Sequence, residues 1–118
     1  MRRFTLLLLA SLLGVAAMAQ QPKRVYCAIW GSKTSTADGR VWIDYGQDDD
    51  KHNWLVDDKG HAKRYASLIH VMNELAEYDW QLEECYTNPT RWILSKEITS
   101  EEQTTDGIYT RNMHKKRD

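Results

Sequence analysis

Apolar residues from Leu68 to Tyr78 recur at helical spacing. Stepping about 100° per residue gathers Leu68, Ile69, Val71, Met72, Leu75 and Ala76 on one arc, with Tyr78 at its edge, while His70, Asn73, Glu74 and Glu77 fill the opposite side. Ser67 stands just before the pattern, where its hydroxyl can accept from a backbone N–H of the first turn, so the helix is predicted to begin there. Asp79 occupies the place where a left-handed residue stops a helix; Gly is commonest there and Asp is tolerated at some cost. The period then drops to two in Trp80-Gln81-Leu82-Glu83, which predicts a strand with Trp80 and Leu82 turned back under the helix.

The same alternation marks three further strands. Arg24 to Trp30 sets Val25, Cys27 and Ile29 against Tyr26, Ala28 and Trp30, and both faces are apolar. A small, polar loop from Gly31 to Gly39 leads to Arg40–Gly46, where Val41, Ile43 and Tyr45 alternate with Trp42 and Asp44. Gln47 to Asn53 is a charged loop, Trp54-Leu55-Val56 a short apolar touch on the body, and Asp57 to Gly60 a turn. Thr87-Asn88-Pro89-Thr90 reads as another turn, after which Arg91 to Ile98 returns as a strand. Strand, strand, helix, strand, strand predicts a two-layer α+β domain: a mainly antiparallel four-stranded sheet with one amphipathic helix on one face. The pattern does not order the strands within the sheet. Beyond Ile98 only Ile108, Tyr109 and Met113 interrupt a polar run, so residues 99–118 are predicted to form a disordered tail.

Residues 1–19 read as a signal peptide, with Arg2-Arg3 as a basic start, an apolar run from Leu6 to Ala17, and Ala17-Met18-Ala19 as the cleavage pattern. The run is shorter than the ~20 residues of a membrane span, so the mature chain, residues 20–98 plus the tail, is expected to be exported to the periplasm or beyond with no span left. That length suits one domain. Losing Arg2 and Arg3 from 16 basic residues set against 17 acidic leaves a mildly acidic protein, which argues against a nucleic-acid partner. The terminal His114-Lys115-Lys116-Arg117 run is better read as a solvated tail.

Arg24-Val25-Tyr26-Cys27, Ile43-Asp44-Tyr45-Gly46-Gln47, Leu55-Val56-Asp57 with Gly60, Met72-Asn73, Trp80, and Trp92-Ile93-Leu94-Ser95-Lys96 together resemble an uncharacterised family of short secreted proteins from anaerobic gut bacteria. More distantly, the helix followed by Trp80 and an apolar hairpin is similar to small bacterial helix-on-sheet domains of unknown function. The resemblance implies a secreted α+β domain and carries no activity or catalytic residue. Asp79 stands where that pattern has Gly, and Cys85 where it has a small residue.

In an exported chain, Cys27 and Cys85 are most simply one disulfide, closing a loop of about 58 residues and stabilising by roughly 4 kcal/mol in the chain-entropy model. Strict alternation puts Cys85 on the wrong side of its strand, and a bulge at Glu83-Glu84 would restore the phase. Two unpaired buried cysteines are the alternative. Asp48-Asp49-Asp50 lacks the spacing of a calcium loop, and His52, His61, His70 and His114 lack paired ligand spacing, so neither a metal nor another cofactor is called for. No nucleophile elbow or phosphate loop is present, which makes an enzyme the weaker class.

The surplus is aromatic. If the helix covers the face bearing Val25, Ile29, Val41, Ile43 and Leu82, then Tyr26, Trp30 and Trp42 lie on a face with nothing assigned to cover it, and these three are the candidate binding residues. Three other readings stay open: the tail covers them through Ile108, Tyr109 and Met113, the rings pack among themselves, or the phase is reversed and they are core. The expected function is a binding domain for a protein partner, a second copy or a glycan. A small periplasmic enzyme or accessory factor, and a structural part of an envelope assembly, are the alternatives.

Overall fold

A computed structural model of the chain describes residues 21–31, 40–49 and 51–117. Residues 1–19, read above as a signal peptide, and most of the loop between the first two strands lie outside the described residues. Four strands form one antiparallel sheet: β1 (Lys23–Gly31), β2 (Val41–Asp44), β3 (Gln81–Thr87) and β4 (Thr90–Ile98). Their spatial order is β2-β1-β4-β3, so the chain's first strand sits inside the sheet beside its last. Helix α1 (Leu68–Ala76) packs on one face, and a second helix, α2 (Arg111–Arg117), follows a 3₁₀ turn at Glu101–Thr105. The architecture is α+β.

The α1 boundaries follow from local chemistry. Ser67 Oγ accepts from the His70 backbone N–H at 3.4 Å, and Asp79 takes φ 75°, the left-handed conformation that ends the helix. The buried stripe is narrower than the apolar arc, however. Leu68, Val71 and Leu75 are buried, Met72 packs at their margin, and Ile69, at the edge of the arc, is exposed. Opposite the helix, Cys27, Ile29, Val41, Ile43, Leu94 and Trp80 complete the core. Leu82 is on the same side yet 44% exposed, since β3 is the edge strand and α1 lies over β1.

The predicted tail is not disordered. Ile108 and Thr110 are buried, Met113 packs on the core, and the backbone from Tyr109 to Asn112 is held by hydrogen bonds to the 52–56 segment. That segment supplies the missing partner. The Leu55 N–H donates to the Val41 carbonyl at 2.8 Å and the Ile43 N–H donates to Asn53 O at 2.9 Å, so Trp54-Leu55-Val56 extends the sheet past β2. Its other edge takes the tail, with Val56 N–H donating to Tyr109 O and Arg111 N–H to Trp54 O. A largely polar segment can be ordered this way because its backbone groups add to the few side-chain anchors, Ile108 and Met113, that it has. Gly107, at φ 78°, fits against Tyr78 at the end of α1, where a Cβ would run into the ring.

The predicted disulfide is absent. Cys27 is buried and Cys85 exposed, and both are free. The bulge is present, with the register of β3 against β4 shifting between Leu82 and Glu84, and it does put Cys85 on the side of Leu82. Cys27 pairs with Leu94 while Cys85 pairs with Trp92, so β4 separates them. Two strand spacings are about 9.6 Å, whereas a disulfide needs Cα atoms within about 7 Å.

Candidate functional site

Helix α1 and the docked tail both pack on the face that bears Cys27, Ile29, Val41, Ile43 and Leu94. The opposite face carries Arg24, Tyr26, Ala28 and Trp30 from β1, Trp42 and Asp44 from β2, Arg91, Ile93, Ser95 and Glu97 from β4, and Glu84 and Tyr86 from β3. Among the described residues no helix or strand lies over it. The reading in which Ile108 and Met113 cover the aromatics is therefore overturned: these two join the core on the other side.

Strand register arranges the open face into rows. Trp30 pairs with Trp42, and Trp42 with Trp54, whose rings meet edge to face at 6.3 Å. On the other side of Trp30 the guanidinium of Arg91 lies 4.2 Å from the ring centroid, and Arg91 pairs with Tyr86. Tyr86, Arg91, Trp30, Trp42 and Trp54 thus form one row running across every strand, closed at the Trp54 end by Arg40 at 4.3 Å. Cation–π contacts of this kind contribute about 0.5–1 kcal/mol each where water has access. Trp30 and Trp42 are half-buried by these neighbours, while Tyr26 stands apart and is 57% exposed. Self-packing and an uncovered face coexist here.

The next row is Asp44, Ala28, Ile93 and Glu84. Small Ala28 leaves a shallow trough, with Ile93 beside it, between Tyr26 and the tryptophan row. Two hollows open along it: one of about 200 Å³ lined by Tyr26, Cys27, Ala28, Asp44 and Ile93, and one of about 170 Å³ lined by Trp30, Trp42, Ile43, Asp44, Gln47, Asp49 and Asn53. The second is shaped by the charged loop. Gly46 N–H donates to Asp44 Oδ1 and Lys51 N–H to Asp49 Oδ1, both at 2.9 Å, while Gln47 is held by Tyr45 N–H and Ile43 O. Asn53, buried, donates to Asp49 O.

A larger hollow of about 490 Å³ lies at the far end of the sheet, among Arg24, Asp79, Gln81, Lys96 and Glu97. Its basic groups are already engaged: Arg24 pairs with Glu97 at 3.4 Å and Glu83 at 3.6 Å and donates to Ser95 Oγ, and Lys96 donates to Tyr78 O. Burial lowers the Lys96 pKa and the carboxylates of Asp106 and Asp79 oppose that shift. The group also lies 4.9 Å from the Trp80 ring, a structural tie between β4 and the end of α1.

The four histidines are dispersed, beside Trp54, Asp57, Tyr65 and Tyr109 respectively. Among the described residues no three His, Cys, Asp or Glu side chains group to hold a metal ion, and no helix is long and apolar enough to cross a membrane. Of the sequence-derived candidates, the sheet brings Trp30 and Trp42 together and sets Tyr26 across the trough from them. Trp54, Arg91, Ile93 and Tyr86 were missed. Alternation from Leu94 already puts Arg91 and Ile93 on the outer face, but only the register brings them beside Trp30 and Ala28. Compared with family models, with curated proteins and with solved structures, the chain matches none.

Proposed function

We propose that the chain is a small exported binding domain whose open sheet face is its recognition surface. The observation that carries this reading is one-sided packing: α1 and the docked tail, through Ile108 and Met113, are committed to the opposite face, yet five large aromatics, Tyr26, Trp30, Trp42, Trp54 and Tyr86, sit on this one. Aromatic anchors with a polar surround carry a disproportionate share of interface energy. Export rests on the leader pattern of residues 1–19.

Trp30→Ser and Trp42→Ser, measured beside Trp80→Ser, test the surface role. Trp80 is 1% exposed in the core, and its loss is expected to cost about 3–5 kcal/mol in chemical denaturation. The two half-buried rings are expected to cost less than half of that, with a loss of self-association or ligand binding. Equal destabilisation at all three positions would place the rings in the core and remove the site.

A further inference from the structure

The two hollows of the open face share a wall, and their linings identify a ligand chemistry. Asp44 borders both. Each combines aromatic surface with a carboxylate: Trp30 and Trp42 with Asp44 and Asp49 in one, Tyr26 with Asp44 in the other. An apolar wall beside oriented hydrogen-bond acceptors suits a ring that is apolar on its faces and hydroxylated at its rim. At about 170 and 200 Å³, each hollow has room for one such ring and neither for a drug-sized ligand.

The acceptors are preorganised. The backbone N–H groups of Gly46 and Lys51 occupy Oδ1 of Asp44 and Asp49, and among the described residues no donor reaches either Oδ2. Among the described residues no Lys, Arg or His lines either hollow. The Arg91 guanidinium is stacked on Trp30. A carboxylated or sulfated ligand would meet uncompensated negative charge, whereas hydroxyl or ammonium donors complement it.

Resting on the open-face reading above, we propose that the trough binds two consecutive rings of a neutral or amino-substituted oligosaccharide, with Trp30 and Trp42 walling one subsite, Tyr26 the other, and Asp44 accepting hydrogen bonds from both rings. A sugar chain fits two ring-sized hollows in line better than a globular surface does, because the repeat of the ligand matches the repeat of the site.

The test is a panel of neutral, amino and acidic oligosaccharides, followed by calorimetry with the monosaccharide, disaccharide and trisaccharide of the strongest binder. Expected are binding confined to neutral or amino sugars, at least tenfold tighter binding of the disaccharide than of the monosaccharide, and little gain from the trisaccharide. Asp44→Asn, which keeps the acceptor for Gly46, should weaken disaccharide binding about tenfold while leaving the thermal midpoint in place. Preference for acidic sugars, equal affinity for mono- and disaccharide, or indifference to Asp44→Asn overturns the proposal. So does silence across the panel. In that last case, self-association in light scattering that is lost in Trp42→Ser would preserve the open face as an interface between copies, so failure of the sugar assignment is separable from failure of the surface.

Discussion

Leu55 and Thr110 pair across a single antiparallel bridge, both buried, at 4% and 1% exposure. Through that bridge the tail joins Trp54-Leu55-Val56, which itself pairs with β2 at the edge of the sheet. Ile108 enters the core two residues earlier, and α2 is steadied by the Tyr109 hydroxyl, which meets His114 Nδ1 at 2.7 Å and accepts from Arg117. Truncation after Ser100 is therefore expected to unfold the domain or lower its thermal midpoint by well over 10 °C. Ile108→Ala alone should cost about 2–4 kcal/mol, measurable by urea denaturation of the otherwise intact chain. An unchanged midpoint after truncation would mean that the docking contributes nothing.

The cysteines should behave as two different thiols. Burial raises the Cys27 thiol to about 12, so at pH 8 its reactive thiolate is about one part in ten thousand, while Cys85 is exposed on an edge strand. Iodoacetamide with mass readout is expected to modify one thiol rapidly in the native protein, at Cys85, and the second only after denaturation. Intact mass should show no loss of two hydrogens in the monomer.

Stability should decline in alkali. The folded-state pKa of Cys27 lies above its ordinary 9.0, and that of Tyr65, whose hydroxyl is buried and donates to Glu74, lies above 10.0. Both groups stay protonated in the fold while the unfolded chain ionises, so the stability they protect is intact below pH 9 and is lost as pH rises toward the folded values. One such group changes stability by about 1.4 kcal/mol per pH unit within its window. Lys96 acts in the opposite sense, since its lowered value makes the fold lose its proton before the unfolded chain does as pH approaches 10.5. Denaturation midpoints between pH 8 and 11 should fall, and Cys27→Ala should flatten the first part of the decline.

Asp79 gives a gain-of-stability test. It is exposed, stands at φ 75° and terminates α1, so glycine there removes the left-handed penalty without touching the core. Asp79→Gly is expected to stabilise by about 0.5 kcal/mol, a rise of roughly 2–4 °C in Tm. A fall would mean that the charge Asp79 offers to Lys96 outweighs the backbone term.

Periodicity alone determined α1 and the four strands: the Ser67 cap, the Asp79 stop, the core faces of β1, β2 and β3 and the outward placement of Tyr26, Trp30 and Trp42 follow from local geometry and side-chain chemistry, whereas the 3₁₀ turn and α2 lie in the stretch expected to be disordered. The bulge expected at Glu83-Glu84 is present, although it was inferred from a disulfide that does not exist. What only the tertiary structure decided was adjacency. Strand order is chosen by the competition of whole faces for burial, which no single segment records, and the choice of β4 beside β1 parts Cys27 from Cys85. The same step stacks Arg91 on Trp30 and closes the trough over Ala28 and Ile93. The order of the tail is hidden for a related reason: Ile108 and Met113 are few apolar anchors in a polar run, and the rest of the attachment is backbone hydrogen bonds to Trp54 and Val56, which any sequence can offer and which leave no mark in hydropathy.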